Sequence, residues 1–114
     1  MKIRNGFVSN SSSSSFLITN TSDKKLSLVD FVVENPQLIN EFIERYDYYE
    51  DSNYNQDNLV VSAASRNIVF FPNIEQCCSF GDDDGNLIGH VFDYILRDGG
   101  KSENFKWVFY KSNR

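Results

Sequence analysis

Residues 9–15 form a hydroxyl tract of six serines and one asparagine, the first candidate for chemistry in this chain. Hydroxyls and backbone N–H groups in a turn can hold an anion, as backbone nests hold phosphate. Phosphate-binding loops with a catalytic role carry glycines and usually a lysine, and this tract contains neither. We therefore interpret the tract as a polar loop that connects two short strands, Lys2–Val8 and Phe16–Thr19.

The acidic turn Asp82–Gly85 is a second candidate, because carboxylates bind divalent cations. A calcium loop with its glycine at the sixth position would place Phe80 and Val91 where oxygen ligands are needed, which argues against calcium. One or two of these carboxylates could still hold magnesium. Acidic residues at the start of a helix also cap it and complement its dipole. We favour capping and assign no metal ligand.

The single histidine, His90, lies in a predicted helix with Asp93 and Tyr94 three and four residues further on, which could tune it as a base. No recognisable nucleophile motif accompanies it, and His90 with Cys77 and Cys78 lacks the ligand spacing of a zinc site. In a strand the two cysteines would point to opposite faces, and we interpret both as small apolar residues. We expect a structural histidine, no catalytic residue and no cofactor.

The segment from residue 46 to residue 54 combines four tyrosines with three carboxylates. Tyrosines provide a large contact area at low entropic cost, and neighbouring carboxylates can meet a basic partner. This composition predicts a protein-binding surface, which could also resemble the charge of DNA. A solvated loop whose rings pack back on the domain is the open alternative. The candidate partner-binding residues are Tyr46, Asp47, Tyr48, Tyr49, Glu50, Asp51 and Tyr54.

The chain has 114 residues and a formal net charge of -5, with ten phenylalanines, six tyrosines and one tryptophan. This length predicts one domain, residues 1–114, with an aromatic-rich core. The negative charge argues against direct binding of nucleic acid, which relies on clustered lysine and arginine. No apolar run has the length of a signal peptide or membrane span, and adjacent cysteines make a poor disulfide framework. We expect a soluble, cytoplasmic protein that does not contact membranes.

Two helix patterns occupy the first half of the chain. Ser27 and Asp30 have capping-box spacing, which predicts a helix that begins at Leu28. The pair Asn35-Pro36 interrupts it and can supply the N-cap and first residue of a second helix. Apolar residues at three- and four-residue spacing over residues 38–46 then predict an amphipathic helix.

The second half mixes both kinds of pattern. Residues 58–65 fit a strand or a helix, whereas residues 67–71 and 74–80 are predicted to be the strands of a hairpin. A helix is predicted from Leu87 to Leu96 and a last strand over Asn104–Lys111.

These elements predict an α+β fold, with a small, mostly antiparallel sheet of about four strands packed by two or three helices. The strands are those near Phe16, Ile68, Cys77 and Trp107, and the covering helices are those around Phe42 and Phe92.

The first sixteen residues, Met1 to Phe16, resemble the start shared by many short proteins of bacteria and their phages. The stretch from Cys78 to His90 and the closing Phe105–Trp107 are similar to the ends of some of these proteins. The resemblance carries no established activity and therefore assigns no catalytic residue. It implies a setting, namely the cytoplasm and a phage or prophage gene.

Three functions follow as hypotheses. The first is a non-enzymatic, phage-encoded accessory factor that inhibits or redirects a host protein, including a defence nuclease, through residues 46–54. The second is a virion or assembly component. The third is a small enzyme or nucleotide-binding domain whose hydroxyl tract, Asp82–Asp84 and His90 would converge on one pocket. Small size, acidity and the lack of catalytic motifs favour the first.

Overall fold

The structure, a computed structural model, describes residues 13–81 and 85–112. These residues form one four-stranded antiparallel sheet, a separate two-stranded sheet and four α-helices, which confirms the predicted α+β class. In chain order the elements are β1 (Ser13–Asn20), β2 (Leu26–Ser27), α1 (Leu28–Glu34), α2 (Gln37–Tyr46), α3 (Gln56–Arg66), β3 (Val69–Phe70), β4 (Glu75–Gly81), α4 (Leu87–Ile95), a 3₁₀ turn (Leu96–Asp98), β5 (Gly100–Lys101) and β6 (Phe105–Ser112).

Strand β1 runs through the interior of the main sheet, whose order is β4-β1-β6-β5. It begins at Ser13, so the predicted loop is wrong for the last three serines of the hydroxyl tract. Ser14 and Ser15 are buried between β4 and β6, where pairing on both sides satisfies backbone groups that a buried loop would leave unpaired. The Ser15 hydroxyl lies 3.2 Å from that of Ser79 on β4. Residues 1–12, which include the predicted first strand, lie outside the described residues.

The predicted hairpin between residues 67–71 and 74–80 does not form. Strand β3 pairs with β2 in the small sheet, and β4 pairs with β1 in the main sheet. The Gln76 side chain accepts from Phe71 N–H at 3.0 Å and donates to Val69 O at 2.9 Å, so it replaces the expected backbone ladder. The strand near Ile68 is therefore absent from the main sheet, and β5 is its fourth strand instead.

Helix α1 begins as predicted. The Ser27 hydroxyl accepts from Asp30 N–H, and the Asp30 carboxylate accepts from Ser27 N–H at 2.8 Å, which completes a capping box. Helix α2 starts after Asn35-Pro36, but the predicted N-cap role of Asn35 is wrong, because Pro36 occupies that position. The buried Asn35 side chain instead donates to Phe31 O and to the Ser102 hydroxyl.

The ambiguous residues 58–65 belong to helix α3. Asn55 caps the start of this helix, since its side-chain oxygen accepts from Asn58 N–H at 2.8 Å. Asn67, in the left-handed conformation with φ of 53°, ends it. These local caps stabilise a helix over residues whose apolar pattern also suits a strand.

Helices α1 and α4 bring aromatic rings onto one face of the main sheet. The buried ring of Phe31 makes edge contacts with Phe92 at 5.5 Å and with Phe105 and Trp107 at 5.0 Å. Such edge-to-face pairs add to the free energy gained from burial of apolar area. Helices α2 and α3 both contact α4. The predicted covering role of the helix around Phe92 is confirmed, and the helix around Phe42 packs beside it.

Glu34 ties the end of α1 to the turn between β5 and β6. Its carboxylate accepts from the Ser102 hydroxyl, and from the backbone and side-chain N–H groups of Asn104 at 2.7 and 2.9 Å. Burial alone would raise the pKa of this carboxyl, but the hydrogen bonds outweigh burial and lower its pKa.

Asn20 joins the end of β1 to the two-stranded sheet. Its buried side chain donates to Lys24 O at 2.7 Å and to Phe70 O at 3.0 Å, while its oxygen accepts from both the N–H and the hydroxyl of Ser22. Each polar atom of this amide is therefore paired, as burial requires.

We expect Asn20→Ala to destabilise the fold by about 2 kcal/mol or more, because the buried side-chain hydrogen bonds to Lys24 O and Phe70 O would be lost. Urea unfolding followed by the single tryptophan measures this change. Asn53→Ala, at an exposed site, serves as the control and should change the free energy of unfolding by less than about 0.5 kcal/mol. Equal effects of the two substitutions would contradict the assigned role of Asn20.

Candidate functional site

The loop from residue 47 to residue 55 has a defined backbone between α2 and α3. Asp47 adopts the left-handed conformation with φ of 62° and ends α2, and Tyr48 N–H donates to Ile43 O at 3.0 Å. The Asp51 carboxylate accepts from Asn53 N–H at 3.0 Å, which forms the next turn. These bonds fix the course of the backbone on which the tyrosines after Asp47 are placed.

Tyr48 and Tyr54 pack back on the domain. Both rings stack on the buried ring of Phe42, at 5.1 and 5.7 Å, and they lie 4.4 Å from each other. The Tyr54 hydroxyl is 3.0 Å from His90 Nδ1 on α4. For these two tyrosines the alternative of inward-packed rings is therefore correct.

Tyr46 and Tyr49 are more exposed, although the Tyr46 ring also contacts Phe42 and Tyr94. Their exposed fractions are 39% and 66%, respectively. Asp47 and Glu50 are also exposed, and Asp51 is half-buried. The tyrosine-rich segment is thus divided, with two rings that anchor the loop and two that remain accessible beside the carboxylates.

An aromatic cleft of about 270 Å³ opens beside this loop. Tyr48 forms one wall of the cleft and also one wall of a shallow concavity lined by Asp47, Glu50, Asp51 and Ser52. An aromatic surface and an acidic surface therefore meet at this ring. The cleft is lined by Phe42, Tyr46, Tyr48, His90 and Tyr94.

The charge around the cleft is negative. Between residues 46 and 65 the chain has four carboxylates and no lysine or arginine. Two nearby arginines are neutralised, since Arg45 pairs with Asp98 at 3.1 Å and Arg97 pairs with the buried Asp93 at 3.0 Å. Within the described residues, Asp47, Glu50 and Asp51 make no salt bridge. Their charge is available to an external cation.

The groups that the enzyme hypothesis requires are not seen together. His90 lies in the aromatic cleft, which none of the described serines of the hydroxyl tract lines. Ser14 instead lies 3.3 Å from Arg97 Nη2. Asp82–Asp84 lie outside the described residues, and the observed cap of α4 is Asn86, whose side chain accepts from Gly89 N–H at 2.9 Å. Over residues 13–81 and 85–112, no three His, Cys, Asp or Glu side chains are placed to hold a metal ion.

The two cysteines of β4 point to opposite faces, as predicted, with Cys77 exposed and Cys78 buried. Burial raises the pKa of the Cys78 thiol to about 11. Since the thiolate is the reactive form, Cys78 is protected both by burial and by its protonation.

Comparison of this chain with protein-family models, curated proteins and solved structures finds no match. None of the described helices is long and apolar enough to span a membrane.

The sequence indicates Tyr46 of α2 as part of the site, but not Phe42 of α2 or the residues that α4 contributes. Phe42 was assigned to helix packing, and Tyr94 was considered only as a neighbour of His90. The spacing of His90 and Tyr94, four residues apart on one helix face, is the signal that could have suggested a shared surface.

Because Tyr48 packs against the domain and Tyr49 is exposed, alanine substitutions at these two positions should change the stability of the protein unequally. Tyr48→Ala removes a half-buried ring stacked on Phe42 and should destabilise the protein by about 2 kcal/mol. Tyr49→Ala removes an exposed ring and should cost less than about 0.5 kcal/mol. Urea unfolding of both variants tests the arrangement. A larger cost for Tyr49→Ala would show that the loop is built differently.

Because Cys77 is exposed and Cys78 is buried, we expect one reactive thiol in the folded protein. At pH 8, Ellman's reagent should modify Cys77 rapidly and Cys78 only after unfolding in urea. The variant Cys77→Ser should lose the rapid phase and keep the slow one. Two rapid thiols in the native protein, or rapid reaction of Cys77→Ser, would contradict the burial of Cys78.

Proposed function

We propose that this protein is a non-enzymatic binding module that engages a basic protein partner through the acidic, tyrosine-rich surface formed by residues 46–54. The observation that carries the proposal is the exposed ring of Tyr49 beside Asp47 and Glu50, on a loop anchored by Tyr48 and Tyr54. Exposed aromatic rings provide contact area, and carboxylates that make no salt bridge within the described residues provide charge complementarity.

The anchoring of the loop supports this function on energetic grounds. Ordering a flexible loop on binding costs conformational entropy, whereas this loop is already held by the Asp51 turn and by two stacked rings. More of the contact free energy is then available for affinity.

The resemblance of the first sixteen residues suggests the biological setting. We propose that the chain is a phage or prophage accessory factor in the host cytoplasm, and that it inhibits or redirects a host protein. A defence nuclease is one partner of suitable chemistry, because surfaces that bind nucleic acid are basic.

The test uses affinity capture from a bacterial lysate and compares two variants that carry three substitutions each. The site variant combines Asp47→Asn, Tyr49→Ala and Glu50→Gln, all at exposed positions on the loop. Asparagine tolerates the left-handed backbone at position 47, so the fold should persist. Partners recovered by the wild type are purified, and their affinity for each variant is measured by calorimetry.

The control variant carries the same kinds of substitution elsewhere, as Asp23→Asn, Glu75→Gln and Tyr110→Ala, all exposed. We expect a basic partner whose affinity falls at least about tenfold with the site variant, and increasingly so at low salt, and is unchanged with the control. Equal binding by both variants, or no protein bound by the wild type, would contradict the proposal.

A further inference from the structure

We propose that the aromatic cleft receives an arginine side chain of the protein partner. This inference rests on the proposed function and adds the chemical group that the site recognises.

The shape of the cleft suits one extended side chain. The five rings that line it contact one another, with neighbouring centroids 5.1 to 5.7 Å apart, and Phe42 also meets His90 directly at 5.4 Å. The volume of about 270 Å³ lies below the range of pockets for drug-sized ligands. The five rings are those of Phe42, Tyr46, Tyr48, His90 and Tyr94.

The electrostatics of the cleft favour a cation. The faces of aromatic rings carry negative charge density and attract ammonium and guanidinium groups. Asp47, Glu50 and Asp51 line the concavity that shares Tyr48 with the cleft, so their negative charge adds to the attraction for a cation. The Arg97 guanidinium already lies over the Tyr94 ring at 4.9 Å, but Arg97 and Arg45 are each paired with a carboxylate and oppose a further cation less than unpaired arginines would.

Guanidinium fits these surroundings better than ammonium. Its planar group stacks on aromatic rings and binds a carboxylate through two parallel hydrogen bonds, whereas a lysine ammonium is strongly hydrated. The chain itself shows such contacts. The Arg97 guanidinium carbon lies 4.9 Å from the centre of the Tyr94 ring, and that of Arg66 lies 4.9 Å from the centre of the Phe80 ring.

The first experiment uses short peptides as probes. The protein is titrated with acetyl-Gly-X-Gly-amide, where X is arginine, lysine, citrulline or leucine, and the aromatic carbon and proton signals are followed by NMR. Citrulline has the shape of arginine without its charge. We expect saturable shifts at Tyr46, Tyr48, His90 and Tyr94 with the arginine peptide, and affinity at least about fivefold weaker for citrulline.

Three results would overturn the inference: equal binding of the citrulline peptide, tighter binding of the leucine peptide, or no saturable shift of the cleft rings with the arginine peptide. Tighter binding of leucine would make the cleft a site for an apolar residue. These outcomes do not depend on whether a partner has been found.

The second experiment separates this inference from the proposed function. Tyr46→Leu removes a half-exposed wall of the cleft, and Tyr110→Leu removes an exposed ring on β6 as its control. We expect Tyr46→Leu to weaken binding of the captured partner about fivefold or more and also to weaken binding of the arginine peptide, whereas Tyr110→Leu should change neither.

If Tyr46→Leu leaves partner affinity unchanged while the loop variant reduces it, the inference fails and the proposed function stands. If neither variant reduces partner affinity, both fail.

Discussion

The contact of the Phe42 ring with the loop after α2 is the interaction on which the site depends. This ring is buried in the core, and Tyr48 and Tyr54 both stack on it. His90 meets its edge at 5.4 Å, so α4 is joined to the same cluster. Without this contact the acidic segment would be a solvated chain that loses entropy whenever it binds. With it, the carboxylates lie at fixed positions around an aromatic cleft.

Much of the fold could be predicted because its signals are local. The capping box of Ser27 and Asp30 and the apolar spacing of residues 38–46 lie within a few residues of what they determine. Strand pairing is not local in this way. Ser15 meets Ser79 across 64 positions of the chain, and nothing in the hydroxyl tract indicates that partner. For the same reason the expected hairpin gave way to two pairings with distant strands.

The candidate site was predicted in composition but not in arrangement. Tyr48 and Tyr49 are neighbours with the same side chain, yet one is stacked on Phe42 and the other is largely in solvent. The backbone turn at Asp47 decides this difference, and no periodicity in the segment reveals it. The cleft also includes His90 of α4, which lies 36 positions after Tyr54 in the chain and is hydrogen-bonded to it. Inward packing is therefore observed for Tyr48 and Tyr54, while Tyr49 keeps the exposure that the proposed interface requires.

If a protein partner covers the acidic, tyrosine-rich surface, hydrogen–deuterium exchange of the purified complex will show where it binds. We expect slower exchange in the complex over residues 46–54 and around His90 in α4. Exchange should be unchanged over β4, an edge strand of the main sheet as described. Protection confined to β4 or β6, with residues 46–54 exchanging as in the free protein, would contradict the proposed binding surface.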